Sequence, residues 1–274
     1  MALSVVDLYR QVLPRTNCGD CGYPTCMAFA SMVVSKKLPL KKCPHLSADT
    51  VARFQPELDV QHAAGKWTER DLAADALNWA RQRAASMDPA DLPARIGGEL
   101  IQIDGAPVLA LPYFNTVIHI RNGDIRRPDG NNLERWEQVF IFNHLAQGGS
   151  QPPSGRWKSL QEFPNTVSKI KSMGSHVEAP LRERFAGRRE ALAAAALRLG
   201  GTDITAESES ADLAIRFQPL PRVPVLLLFW EGDPEGGFTA EVKLAFDETI
   251  VQHLDIESIL FLSETIAKAL LSEQ

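Results

Sequence analysis

Beyond Cys43 the sequence contains no cysteine; all four of its cysteines fall in the first 43 of 274 residues. The long remainder therefore has no thiol nucleophile and no disulfide framework to offer. It also lacks the motifs that mark common catalytic sites: there is no P-loop, no G-x-G-x-x-G, no H-E-x-x-H and no G-x-S-x-G. Excess basic charge is absent too. The formal net charge is −5, which excludes the basic footprint of a general nucleic-acid binder. No apolar run approaches the roughly 18 residues needed to span a membrane; the longest, Val223 to Trp230, is strand-length. Asp7 and Arg10 interrupt the only N-terminal apolar stretch, so no signal peptide is read there and a cytoplasmic protein is expected. What is present, 45% hydrophobic and 23% charged residues, is enough to bury a core. No internal repeat is visible.

The cysteines have the spacing C-x2-C-x4-C-x16-C: Cys18, Cys21, Cys26 and Cys43. Clustered cysteines in a chain that needs no disulfides to fold point to metal ligation. A cubane iron–sulfur cluster needs four thiolates in a tetrahedron and a loop that wraps closely round it. Gly19 and Gly22 suit such a loop, because they accept positive φ and leave room for inorganic sulfide. Pro24 is expected to open a helix over residues 25–35, placing Cys26 in its first turn beside the positive end of the helix dipole. Pro39 then blocks its continuation, and the chain returns to deliver Cys43. Residues 1–45 carry six cations, Arg10, Arg15, Lys36, Lys37, Lys41 and Lys42, against Asp7 and Asp20. That excess offsets an anionic cluster, although a solvated basic helix end would read the same way residue by residue. Zinc is the competing metal. Its structural knuckles favour two short-spaced ligand pairs, and here sixteen residues separate the last two cysteines. Disulfides are the third alternative.

The run Cys18-Gly-Asp-Cys-Gly-Tyr-Pro-Thr-Cys26-Met-Ala-Phe-Ala, with Cys43-Pro44 sixteen residues on, closely resembles one iron–sulfur module. It is the module of the large subunit of corrinoid iron–sulfur proteins and of the B subunit of Rnf-type electron-transport complexes. The resemblance covers about residues 1–50. It implies that Cys18, Cys21, Cys26 and Cys43 ligate one low-potential [4Fe–4S] cluster that serves electron transfer. It also implies an oxygen-poor, anaerobic metabolism, a redox partner protein such as a corrinoid protein or methyltransferase, and corrinoid as a candidate second cofactor. The large corrinoid subunit goes on into a TIM barrel and a cobalamin domain, for which this chain is too short.

The remaining pattern reads as α+β: a small helical iron–sulfur module at 1–50, a helical connector at 51–94, and an α+β domain with one antiparallel sheet at 95–274. Ser47 is expected to cap a short helix that Pro56 interrupts. Thr68 is read as the N-cap, with Asp71 at the third position, of an amphipathic helix over 71–85 whose inner face holds Leu72, Ala76, Leu77, Trp79 and Ala80. A linker at 88–95 follows. Strands are expected at 99–104, 106–111 and 114–120, a helix at 132–146, a loop at 148–155 and two or three helices over 166–199. Strands at 212–218, 223–231 and 238–246 and a helix at 255–271 complete the chain. Residues 95–272 are similar to a prokaryotic family known only as a domain of unknown function. The segments that carry this are Tyr113-Phe-Asn, Trp157 to Pro164, Leu220-Pro-Arg-Val-Pro224 and Leu244-Ala-Phe-Asp247.

Candidate functional residues in this region are few. His119, in an apolar strand, and His253 read as core histidines. His144, on a helix before a glycine loop, is a candidate ligand for a metal or for corrinoid cobalt. Asp247 and Asp255 are a candidate carboxylate pair, or caps of local structure. Trp157 and Trp230 are candidate cofactor-pocket walls, or core. Three roles are consistent with the whole: an electron-transfer or accessory protein, a redox enzyme whose C-terminal domain binds a small molecule or corrinoid, and a structural or oxygen-sensing cluster protein.

Overall fold

A computed structural model of the chain describes residues 3–65, 72–208, 210–232 and 236–272. Two compact units emerge, Met1–Leu72 and Ala73–Gln274.

The first unit is helical. α1 (Val5–Gln11) begins at a capping box in which the Ser4 hydroxyl and the Asp7 carboxylate serve each other's backbone N–H groups. α2 (Cys26–Lys36) starts one residue later than the expected 25–35 helix, with Pro24 ahead of its cap. Its N-cap is Thr25, whose hydroxyl accepts from the Ala28 N–H, and Lys37 ends it in the left-handed conformation. α3 (Ala48–Ala63) corrects a second expectation, because it runs through Pro56 as one helix. Proline removes one backbone hydrogen bond there, but long-range contacts hold the helix on both sides. The Gln55 carboxamide accepts from the Leu40 N–H at 2.8 Å. Gln61 bridges both backbone groups of Leu3 at 2.8 and 2.9 Å, and His62 Nε2 meets the Val34 carbonyl. Leu8, Phe29, Val33, Leu40 and Leu58 form the centre of this unit's core.

The second unit is α+β, with antiparallel strands divided between two sheets rather than gathered in one. α4 (Leu72–Ala85) begins at the boundary between the units, and the expected cap at Thr68 and its Asp71 partner lie outside the described residues. Leu77, Ala80 and Ala84 form the buried face of α4. Trp79 does not join them: it projects from the opposite side, is 57% exposed and lies under the Arg83 guanidinium. The expected linker contains α5 (Leu92–Ile96). The first sheet is a meander of β1 (Glu99–Ile103), β2 (Ala106–Tyr113), β3 (Thr116–Arg121) and β4 (Asp124–Arg126). Asp104-Gly105 and Asn122-Gly123 turn it, all four with positive φ, as two-residue hairpins demand. β2 is an inner strand with two prolines. The register places Pro107 opposite β1 only and Pro112 opposite β3 only, so each imino nitrogen avoids the ladder.

α6 (Arg135–Gln147) is buried on nearly all sides from Glu137 to Leu145, and most of its buried polar groups are individually satisfied. Gln138 donates to the Leu133 carbonyl, Asn143 donates to the Ser258 hydroxyl, and Glu137 accepts from the Tyr113 hydroxyl at 2.7 Å; the exception is His144, whose Nε2 has no partner among the described residues. After β5 (Trp157–Ser159), α7 (Val167–Met173) passes through a π-helical turn at Gly174–Glu178 into α8 (Ala179–Phe185). The wider turn accommodates Pro180, which has no N–H for the ordinary helical bond. α9 (Arg189–Arg198) leads to the second sheet. This sheet is formed by β5, β6 (Thr202–Asp203), β7 (Leu213–Leu220), β8 (Val223–Trp230) and β9 (Glu241–Asp247), in the order β5-β9-β8-β7-β6. α10 (Ile256–Ser272) closes the unit against α6, α7 and α8.

The two sheets meet at Tyr113-Phe-Asn. Phe114 has a φ of 50° and donates its N–H to the Pro219 carbonyl at 3.1 Å, where the β7–β8 register shifts. Asn115 donates to the Arg198 carbonyl at the end of α9. One core, including Leu111, Phe140, Phe217, Phe229 and Ile259, runs through both sheets and the helices.

Candidate metal centre

The cysteine loop curls because residues spaced along it take left-handed backbone conformations. Arg15, Asn17, Gly19 and Gly22 have φ of 61°, 52°, 83° and 86°. A Cβ added at either glycine would meet nothing within 4 Å, so their backbone conformation and not crowding calls for glycine, and open space borders the loop. The Gly22 N–H closes a turn on the Gly19 carbonyl at 2.8 Å. Asn17 clamps Cys26 from both sides. Its Oδ1 accepts from the Cys26 N–H at 2.8 Å, and its own N–H donates to Cys26 Sγ at 3.4 Å. Cys26 is the first residue of α2, where the dipole favours a thiolate. Cys43 follows a 3₁₀ turn, Leu40–Lys42, anchored by fully buried Leu40.

The four thiols are unbridged and graded in exposure: Cys26 and Cys43 are buried, Cys21 is half-buried and Cys18 is exposed. Burial pushes the Cys43 thiol up. A hydrogen bond from the His45 backbone opposes this, and the charges of Cys21, Cys26 and Cys18 add to the rise. The other three sulfurs thus lie within electrostatic reach of Cys43. A set of soft sulfur donors, with a backbone N–H aimed at one sulfur and glycine-lined space beside the loop, fits an iron–sulfur cluster.

One feature of the rim was missed from the sequence. His45 Nε2 lies 2.6 Å from Asp20 Oδ2, and the ligand atoms of Cys18, Asp20 and His45 all fall within 4.8 Å of one another. Hydrogen bonds from His45 and then Cys18 hold the Asp20 carboxyl below its ordinary range. The signal available was positional: Asp20 lies between two cysteines, and His45 follows Cys43-Pro44.

The candidates of the second unit have structural roles. His144 is fully buried, so the reading of it as a corrinoid-cobalt ligand fails for want of access; its Nδ1 meets the His253 carbonyl at 3.2 Å. Burial pushes His144 down to about 4. His253 is buried as expected, its Nε2 against the Gln151 carbonyl, and burial lowers it too. His144 Nε2 and His253 Nδ1 have no partner among the described residues. His119 is not core. It alternates with Ile118 and Ile120, which face inward, and lines an open depression with Arg127 on the other face of the sheet. Asp247 accepts from the backbone N–H groups of Ser154, Gly155 and Thr249 and from the Thr249 hydroxyl. Burial alone would raise its carboxyl, but those hydrogen bonds together lower it. Asp255 caps α10 by accepting from the Ser258 N–H. Trp157 packs on Ala214, Leu226 and Ala245, and Trp230 donates to the Ser210 carbonyl at 2.6 Å.

Among the described residues, no helix is long and apolar enough to cross a membrane. Comparison with known proteins separates the same two regions. Residues 13–45 match the family described as "Putative Fe-S cluster", which gives the loop an iron–sulfur cofactor. The acetyl-CoA decarbonylase/synthase complex subunit gamma of Methanothermobacter thermautotrophicus is 47% identical over 49 residues, 18% of this chain and 10% of that protein. The corrinoid/iron-sulfur protein large subunit of Moorella thermoacetica is 49% identical over 47 residues, 17% and 10%. A Methanosarcina thermophila gamma subunit is 56% identical over 57 residues, 20% and 12%. The chain thus matches about a tenth of the length of these relatives. No solved structure matches. Residues 88–269, well over half of the sequence, match the model of one family, and the chain accordingly belongs to the family described as "Domain of unknown function (DUF3786)", with an iron–sulfur segment ahead of the matched region.

Proposed function

We propose that this chain is an iron–sulfur accessory protein. In this reading Cys18, Cys21, Cys26 and Cys43 hold one [4Fe–4S] cluster, which passes single electrons at low potential to a partner protein in an oxygen-poor cytoplasm. The observation that carries the reading is four unbridged thiols within the first unit, Cys18 and Cys21 on the curled loop, Cys26 at the start of α2 and Cys43 after the 3₁₀ turn, with Cys26 and Cys43 buried and Cys18 open to solvent. When bound, the cluster supplies one electron at a time. The chain's own residues set the conditions. Cys26 and Cys43 keep one side of the site dry, and the Asn17 N–H stabilises negative charge on Cys26 Sγ. Arg15, Lys41 and Lys42 stand exposed near the ligands in sequence and favour the more negative, reduced state. Exposed Cys18 lies on the side from which a partner can approach.

The proposed partner is a corrinoid protein or a corrinoid-dependent methyltransferase. Two kinds of relative support this, one named as a corrinoid/iron-sulfur subunit and the other as a subunit of an acetyl-CoA decarbonylase/synthase complex. The test is to mix the anaerobically reduced protein with a corrinoid protein in the cobalt(II) state and follow the cobalt(I) absorbance. One cobalt(I) formed per reduced protein is expected. No transfer despite a reduced cluster would overturn the corrinoid assignment.

A further inference from the structure

A cavity of about 320 Å³ lies in the second unit between α4 and the first sheet, within the usual range of roughly 300–1,000 Å³ for small-molecule sites. Its walls are mostly apolar, with Leu92, Leu109, Ile120 and Leu145 among them, and its charged lining is two arginines, Arg81 and Arg121. Among the described residues no aspartate or glutamate lines it.

Among the described residues, neither arginine has a counter-charge. Arg81 is half-buried, its guanidinium donating to the neutral Gln138 Oε1 at 3.0 Å and lying over the Phe142 ring, while its buried Nε–H has no acceptor. Arg121 is exposed, and the nearest strand-paired carboxylate, Asp124, is taken by Arg126 at 2.7 Å. In a chain with more carboxylates than cations, an unpaired guanidinium set into an apolar wall is an unmet electrostatic demand. A neutral ligand would leave that demand standing. A free phosphate would leave the apolar walls wet.

We propose that this cavity binds an organic monocarboxylate with an apolar body, its carboxylate held by Arg81 and Arg121 and its body against Leu92, Leu109, Ile120 and Leu145. A planar guanidinium matches a carboxylate in shape and charge. The site uses none of the cysteine loop, so it stands or falls independently of the cluster.

Calorimetric titration of the full chain with octanoate, 1-octanol and inorganic phosphate provides the test. Octanoate is expected to bind saturably at one site per chain, 1-octanol at least about tenfold more weakly, and phosphate not at all. Arg81→Gln and Arg121→Gln should each weaken octanoate by about tenfold and leave 1-octanol unchanged. Arg121, being exposed, can be replaced without disturbing the core, so a misfolded Arg81 variant would not remove the test. Absence of saturable octanoate binding, equal affinity for octanoate and octanol, or unchanged octanoate affinity in Arg121→Gln would each overturn the proposal.

Discussion

Cys18 is exposed on a curled loop beside the Asp20–His45 pair, whereas His144 and His253 lie fully buried between α6 and the segment before α10. The first unit leaves Cys18, Asp20 and His45 open to solvent at the rim of a small core that buries Cys26 and Cys43. The second puts its polar residues inside, as ties between elements: Asp247 gathers a loop, and Arg222 donates to the carbonyls of Ala94 and Arg95. The family segments Tyr113-Phe-Asn, Leu220 to Pro224 and Leu244 to Asp247 are therefore largely a fold signature. The difference teaches that a recurring motif can mark chemistry in one unit and assembly in the next.

Substitutions that act on one unit alone break this comparison most sharply. Cys26→Ser and Cys43→Ser should purify without iron, since each removes a buried, proposed ligand; iron and sulfide assays read this directly. Phe140→Ala in α6 should do the reverse. It deletes a fully buried ring, costing about 3–5 kcal/mol, so denaturant unfolding followed by tryptophan emission should shift while the iron content stays.

Acid should separate the units next. His144 titrates near 4 when folded, against 6.5 for an unperturbed histidine. The unfolded chain therefore binds more protons between those values, and stability falls as pH drops through that window, by about 3 kcal/mol in all. Lowered His253 acts in the same direction. A folding free energy flat from pH 6.5 to 4 would contradict the buried, neutral assignment, and His144→Gln should flatten the slope. Smallest is Gly22→Ala. Its φ of 86° penalises any side chain by about 1–2 kcal/mol. A larger loss, read as iron content, would place the cluster in the open space beside it.

The cysteine site was legible because its signal is local: rare residues, fixed spacing and glycines within one short stretch. The α+β class was legible because hydrophobic alternation and turn chemistry such as Asp104-Gly105 act over a few residues. What escaped depended on distant partners. Pro56 stays helical because Gln55 and Gln61 are held by Leu40 and Leu3, from other parts of the sequence. His119 and His144 exchanged places between core and surface because sheet pairing and helix burial decide which way each faces. The junction of the two sheets lies at Phe114, whose N–H donates to Pro219 at the β7–β8 register shift, and no periodicity announces it.

The most direct measurement is the metal content of anaerobically purified protein, with electron paramagnetic resonance before and after dithionite. Four irons and four acid-labile sulfides per chain, silent as isolated and paramagnetic when reduced, is the predicted result. One zinc and no sulfide would contradict it, and the loop would then be a structural knuckle.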